Sequence, residues 1–275
     1  MAKKKSGKIA VGKWTHLGVT VGWRILLEYF TWMRRYGKHP EKYPLEKRYG
    51  KLHKLAYRLT KHNRIDLRVT GFEYLNAPGP KVIVANHLSI NDVVTILAIS
   101  KKPITFLAKK EVYDMPFVGH CLRAIDGFFL DREDPRQGVK VLRAASNYLL
   151  AHDATIIVYP EGTRQKEPFS PELLPFHAGS FKLVDWGKAS LVRMAEFGTF
   201  RPLNKSDGGR AMPVEMTFFP PESYEEASKK STQELAEESR AIIESEVHKM
   251  QEYDKAFYAS GKNKQKRPAW WKDYD

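Results

Sequence analysis

The sequence predicts an α/β fold: a largely parallel, mixed sheet flanked by helices. Three observations carry that reading. Short apolar β-type runs recur through the chain, with helix-period segments between them. Two of the runs, Val82-Ile83-Val84-Ala85 and Thr155-Ile156-Ile157-Val158, lack polar alternation, which marks strands buried on both faces. With 275 residues, 42% of them apolar, the chain is long enough for one large domain with a well-buried core.

The elements follow in order. Lys3-Lys4-Lys5-Ser6-Gly7-Lys8 reads as a basic tip. From Trp14 to Tyr36 an aromatic-rich helix is expected, with Leu17, Val21, Ile25, Phe30 and Trp32 among its apolar residues. Its uncharged stretch, Trp14 to Trp23, is ten residues before Arg24 and Glu28 intervene, whereas a bilayer span needs about twenty. No small-residue cleavage pattern marks a signal peptide. Trp at its edges with flanking Lys/Arg describes a helix lying in the headgroup layer; packing on the domain is the alternative. Gly37 through Pro44 breaks it, and Leu45–Asn63 reads as a second basic helix, completing a membrane-facing amphipathic hairpin.

Strands are then expected at Ile65–Thr70, Lys81–Ala85, Ile104–Ala108, Gly127–Leu130, Thr155–Tyr159, Ser190–Ala195 and Met212–Phe219. Helices are expected at Asn91–Ile99, Arg136–Ala151 and His177–Trp186, and one long helix at Glu222–Tyr258 after Pro220-Pro221. After the polar run Lys262–Lys266 the tail carries Trp270-Trp271, and it reads as a loose end or a second interfacial anchor. The predicted organisation is a basic membrane-interacting segment over residues 1–64, an α/β body over 65–260 and a tail over 261–275.

Charge is unevenly placed. Residues 1–64 hold 17 Lys/Arg against 3 Asp/Glu, and the rest of the chain holds 29 of each, so the net charge of +14 lies in the first quarter. A neutral body with a basic leader points to a polyanionic surface, anionic lipid or nucleic acid. The lack of a basic face beyond residue 64 argues against nucleic acid. One cysteine, Cys121, allows no internal disulfide, and no four-ligand metal cluster is visible.

Two polar strings carry the chemistry: Asn86-His87-Leu88-Ser89-Ile90-Asn91-Asp92 and Tyr159-Pro160-Glu161-Gly162-Thr163-Arg164. Each directly follows an apolar run, so both read as loops at the carboxyl ends of buried strands, where open α/β sheets place ligands. The first offers an imidazole with a carboxylate five residues on. The second offers a glycine turn with a cation. Together they could activate a hydroxyl on a substrate that carries an anion. A lone histidine is by default a buried, hydrogen-bonded strand-closing residue, and no second histidine at ligand spacing supports a metal.

These strings, with Gly127-Phe128-Phe129-Leu130-Asp131-Arg132 and the segments Ala108-Lys109-Lys110-Glu111 and Met115-Pro116-Phe117-Val118-Gly119 between them, resemble the glycerolipid acyltransferases. They are most similar to the bacterial 1-acylglycerol-3-phosphate (lysophosphatidic acid) acyltransferases. The resemblance covers roughly Gly71 to Phe200, and four motifs in order are far more specific than one. It departs at Ala189-Ser190-Leu191-Val192-Arg193-Met194, where Arg193 stands in place of the family's proline.

The resemblance implies a glycerol-3-phosphate acyltransferase-like fold and a set of roles. His87 is the general base and Asp92 accepts a bond from its other ring nitrogen, fixing the tautomer. An alcohol's pKa is on the order of 15–16 and imidazole's about 6.5, so the proton must leave as the oxygen attacks. Arg164 grips an acceptor phosphate through its guanidinium fork, with Arg132 as a second cation and Lys109 as a third. Gly162 permits the turn, Thr163 offers a hydroxyl, and Glu161 orients Arg164 or Arg132 or bonds the glycerol.

No Ser or Cys stands as an obvious nucleophile, so direct transfer is expected. The implied donor is acyl-coenzyme A or acyl carrier protein, with no cofactor and no metal. The implied acceptor is the free sn-2 hydroxyl of lysophosphatidic acid, giving phosphatidic acid at the cytoplasmic face of the cell membrane, with the protein peripheral or monotopic. Arg193 leaves another lysolipid, a lyso-ornithine lipid or lysophosphatidylglycerol, as an alternative acceptor. A non-enzymatic nucleic-acid module is the remaining alternative.

Overall fold

The computed structural model of the protein describes residues 22–63, 65–203 and 211–264. The basic tip, the Trp14–Val21 part of the helix expected over Trp14 to Tyr36 and the aromatic tail lie outside them. Seven strands form one sheet: β1 (Ile65–Thr70), β2 (Lys81–Ala85), β3 (Ile104–Lys109), β4 (Phe128–Leu130), β5 (Thr155–Val158), β6 (Ser190–Phe197) and β7 (Met212–Phe218). Their spatial order is β1-β7-β6-β2-β5-β3-β4. Only β6 and β7 run antiparallel; the other neighbours are parallel. The expected mixed, mostly parallel sheet is therefore the observed one.

β2 and β5 sit at the centre, and every residue of both is buried. Their unbroken apolar runs follow from that position, because both faces are covered. After β2 the chain crosses beyond β5 to β3. After β5 it crosses back beyond β2 to β6. The crevice between the carboxyl ends of β2 and β5 is thus the switch point of the sheet.

Side-chain parity along each strand sorts the core into two layers. One joins Ile83, Ala85, Ile157, Val192 and Met194 to Ile96 and Ile99 of a helix over Ile90–Ile99. The other joins Val82, Val84, Ile156 and Leu191 to Leu142, Leu149, Ile243 and Val247 of two helices, Pro135–Ala151 and Thr232–Ala259.

The described residues open with one helical rod: α1 (Trp23–Glu28), a π-helical stretch Tyr29–Met33, and α2 (Arg34–Lys38). After a break comes α3 (Leu45–His62). Helix follows these residues as expected, but the boundary expected after residue 64 falls inside the core. Tyr49, Leu52, Leu55 and Ala56 of α3 are buried in the first layer. Arg48 is buried with them and ion-pairs to Asp126 at 2.8 Å. The basic leader disguised this helix, since its charges occupy only one face and its Leu/Tyr stripe is a core stripe.

The remaining helices are α4 (Phe72–Asn76), α5 (Ile90–Ile99), α6 (Val118–Arg123), α7 (Pro135–Ala151), α8 (Lys182–Gly187), α9 (Tyr224–Ala227) and α10 (Thr232–Ala259). The single long helix expected over Glu222–Tyr258 is two. Ser231 caps α10 and Ser223 caps α9, each in a box with a glutamate three residues on, Glu234 and Glu226. Both boxes are readable as S-x-x-E and set a start where the apolar periodicity alone suggested continuity. The helix expected from His177 opens as a 3-10 turn, Ala178–Phe181, before α8.

Candidate active site

The spacing of His87 and Asp92 is explained by a helix cap. Ser89 is the N-cap of α5, its hydroxyl accepts from the Asn91 amide, and Asp92 closes the capping box at the third helical position. Oδ2 of Asp92 accepts from the amides of Leu88 at 2.8 Å and Ser89 at 2.9 Å. The same oxygen lies 2.7 Å from Nδ1 of His87. The cap thus presents a carboxylate at a helix N-terminus, where backbone N–H groups favour the anion. With Nδ1 donating to Asp92, the neutral ring holds its lone pair on Nε2. Asp92 is fully buried, while the His87 side chain keeps 19% of its surface exposed, so a substrate hydroxyl can reach it.

The second string is bolted to the first. Oε1 of Glu161 accepts from the His87 amide at 2.7 Å, and the Gln165 amide donates to the His87 carbonyl at 2.8 Å. Glu161 to Gln165 therefore spans the backbone of His87 like a bracket, with Arg164 next to its second anchor. Gly162 turns at φ 74°, and a Cβ there would meet Nη1 of Arg132 at 2.9 Å. The left-handed backbone calls for glycine at this position, and a side chain there would also displace the Arg132 guanidinium.

The predicted site residues lie at the carboxyl ends of β2, β3, β4 and β5, four neighbouring parallel strands: Lys109 ends β3, Asp92 sits in the first turn of α5 and the others are in the loops that follow β2, β4 and β5. Arg132 and Arg164 are exposed, and neither has a carboxylate partner among the described residues. Partial desolvation lowers the pKa of the Arg132 guanidinium, with Glu111 opposing, and the group stays a cation. Thr163 is exposed on the same turn.

Two residues depart from expectation. Glu161 does not face the cations as a substrate ligand would. It is buried, with Oε2 accepting from the Leu174 amide at 3.3 Å, and its work is to hold the His87 loop. Burial pushes its carboxyl up to about 7, with the His87 and Leu174 amides and Arg240 opposing and Asp92 adding to the rise. Lys109 pairs with Glu111 at 2.8 Å, so its charge is partly spent on that neighbour.

Arg193 is buried on β6, where its guanidinium bonds Glu222 at 2.7 Å and Ser239 of α10 at 3.0 Å. It faces the layer opposite α5, so it stands outside the crevice that holds His87. The Cys121 thiol is pushed up to about 12 by burial, and Ser89 is committed to the helix cap. Neither is a ready nucleophile. No cluster of three metal-ligating side chains occurs among the described residues.

Sequence reasoning missed Tyr159 and Glu196. The Tyr159 ring stacks on His87 with centroids 4.2 Å apart, a contact that adjacency to the second motif hinted at. Glu196 is a fully buried carboxyl on β6; a lone acid in the run Leu191–Phe197 was its available signal.

The acyltransferase family model matches residues 66–193, the stretch that carries both polar strings. Among curated relatives, the 1-acyl-sn-glycerol-3-phosphate acyltransferase of Helicobacter pylori is 36% identical over 102 residues, covering 37% of this chain and 42% of the relative. The enzyme of the same name from Saccharomyces cerevisiae is 32% identical over 130 residues, covering 46% of this chain and again 42% of the relative. The matches thus span about two-fifths of those proteins. The crystal structure of the 1-acyl-sn-glycerophosphate (LPA) acyltransferase PlsC from Thermotoga maritima superimposes with a TM-score of 0.62 at 23% identity. It covers 91% of this chain and 98% of that one, a likeness of fold.

Proposed function

We propose that the protein transfers an acyl group from acyl-coenzyme A or acyl carrier protein to the free hydroxyl of lysophosphatidic acid, forming phosphatidic acid. One observation supports the reading: an Asp-anchored imidazole and two guanidiniums without a carboxylate partner among the described residues lie at the carboxyl ends of neighbouring strands, and the Glu161–Gln165 bracket ties the Arg164 turn to His87. The names of the curated relatives support the same acceptor.

Nε2 of His87 takes the hydroxyl proton as the oxygen adds to the thioester carbonyl. The tetrahedral intermediate then collapses, breaking the C–S bond, and the thiolate leaves with the proton from the imidazolium. General-base help of this kind is worth about 10²–10⁴ in rate. Asp92 stabilises the imidazolium without itself being protonated. Arg132 and Arg164 hold the acceptor phosphate, which positions the hydroxyl against His87.

The membrane surface is the natural source of this acceptor. Trp23, Leu26, Leu27 and Phe30 lie at helical spacing on the α1 rod and are each at least half exposed. On the other side of the rod, Trp32, Met33 and Tyr36 are buried in the core. A rod with one apolar stripe in the body and one in solvent suits an interfacial anchor. Among the described residues no helix is long and apolar enough to cross a membrane. A peripheral protein drawing on soluble acyl thioesters belongs on the cytoplasmic face.

Acyl transfer from a labelled thioester to lysophosphatidic acid tests the proposal with wild type, His87→Ala and Arg164→Ala. Wild type transfers label, His87→Ala abolishes it, and Arg164→Ala raises KM for the acceptor. A fully active His87→Ala protein would end the assignment. Since Arg193 braces α10 on the far face, it gives no ground for a different lysolipid; equal turnover of an acceptor lacking phosphate would provide one.

A further inference from the structure

Behind the His87–Asp92 pair lies a third group that the mechanism above does not use. β6 runs parallel to β2, with Lys81 opposite Ser190 and Ala85 opposite Met194. Carried two residues further, that register sets Glu196 beside His87. The Asn86 side chain extends the pairing, donating to the Glu196 carbonyl at 2.9 Å and accepting from its amide at 2.9 Å. Glu196 shares its strand face with Val192 and Met194, the face covered by α5, which carries Asp92.

Glu196 is fully buried, and with both carboxyls ionised neither of its oxygens has a donor; Oδ1 of Asp92 is in the same position. Yet the two carboxyls stand within hydrogen-bonding reach of each other. Two carboxylates this close cannot both be ionised in a buried site, and a single shared proton satisfies both. The remaining question is which residue carries it. Asp92 already accepts three N–H donors on Oδ2 at a helix N-terminus, which favours its anion. Among the described residues no cation pairs with Glu196. The groups facing it are Asp92 from α5 and Glu161 and Tyr159 from the β5 loop, which are acidic or neutral.

We propose that Glu196 is a positioning residue of the dyad: held as the neutral acid, it donates its proton to Oδ1 of Asp92 and so fixes the carboxylate that orients His87. Desolvation points the same way, raising the Glu196 carboxyl well above the ordinary range, with Asp92 and Glu161 adding to the rise. The role has a second consequence. An ionised Glu196 would place two negative charges behind His87, favouring an imidazolium that could not act as a base. The neutral acid keeps a single charge there. The kinetic part of this inference rests on His87 acting as the base of acyl transfer; the protonation state does not.

The test compares Glu196→Gln, whose amide still donates, with Glu196→Leu, which cannot. Glutamine is expected to retain kcat within about threefold, whereas leucine loses about 10- to 100-fold, as removal of an outer-shell partner commonly does. In the leucine variant the acidic limb of kcat/KM also moves to higher pH, because an undiluted Asp92 charge stabilises the imidazolium. Equal loss in both variants, or an unchanged rate and profile with leucine, overturns the proposal. A readout independent of activity and of variant folding is carbon-13 NMR of glutamate carboxyls in the wild-type protein. The Glu196 signal should stay that of a neutral acid at pH 7, and the signal of a carboxylate there overturns the proposal. If wild type transfers no acyl group, the proposed reaction fails while this NMR outcome still decides the state of Glu196.

Discussion

Asp92 holds the imidazole of His87 with the same oxygen that caps helix α5, 2.7 Å from Nδ1 and 2.9 Å from the Ser89 amide. Orientation of the base and the start of the helix are therefore one structure. Asp92→Asn should separate them. An amide cannot stabilise the imidazolium and selects the wrong tautomer, so kcat should fall by about 10⁴ with little change in KM. Weakening of the cap should cost about 1 kcal/mol. Ser89→Ala should lose a similar amount of stability while keeping more activity than Asp92→Asn. Steady-state kinetics and thermal melts of the two variants check this, and equal activity losses would put the cap, not the charge, in control.

The glycine at 162 makes room for a cation, and its replacement should be felt as lost substrate affinity. Gly162→Ala places a methyl against the Arg132 guanidinium and forces an L-residue into the left-handed region, at about 1–2 kcal/mol. KM for the phosphate-bearing acceptor should rise while kcat changes less. Arg132→Ala and Arg164→Ala should each cost about 1.5–3 kcal/mol in kcat/KM, the worth of hydrogen bonds to a charged group. Arg164→Lys should recover only part, because an ammonium lacks the planar fork. Titrating the acceptor against each variant measures all four effects.

Much of this site was legible because its signals are local. The apolar runs of β2 and β5 and the polar strings after them fix which loops share an edge, and the capping spacing joins His87 to Asp92 within one turn. Arg193 and Glu161 were misread for a common reason: both are charged, and their partners lie far along the chain. Arg193 finds Glu222 and Ser239 across the layer, and Glu161 finds the His87 amide 74 residues away. Glu196 stayed hidden because its partner is another acid, an arrangement that makes sense only after the register of β6 on β2 is known. The split of the last helix was readable at Ser231, where a capping signal outranked periodicity.

Glu161 predicts a pH signature in stability. Its carboxyl sits at about 7, against an ordinary 4.5. Between those values the folded state holds a proton that the unfolded state has released. Stability from this group is therefore greatest below pH 4.5 and is lost as pH rises toward 7, at about 1.4 kcal/mol per unit at most. Glu161→Gln cannot titrate. The melting temperature of wild type minus that of Glu161→Gln should fall steadily from pH 4.5 to 7 and then level off. A flat difference would show that the two amide bonds keep Glu161 ionised throughout.

The two basic helical segments before β1 should respond differently to mutation because they bury different amounts of themselves. Removing residues 1–64 takes Tyr49, Leu52, Leu55 and Ala56 out of the first core layer. Each large aliphatic side chain lost from a core typically costs about 2–5 kcal/mol, so this truncation should leave no stable fold. The stripe Trp23, Leu26, Leu27 and Phe30 is at least half exposed, and replacing all four with serine should leave the melting temperature within a few degrees. Each of these side chains would gain about 1 kcal/mol by finishing its burial in a lipid interface. Their loss together should weaken binding to anionic vesicles by at least about 100-fold, since 1.4 kcal/mol is a factor of ten. Vesicle sedimentation and thermal melts of the full chain give both readouts. Unchanged vesicle binding by the serine variant would move the anchor away from this rod. A well-folded truncation at residue 64 would contradict the place of α3 in the core.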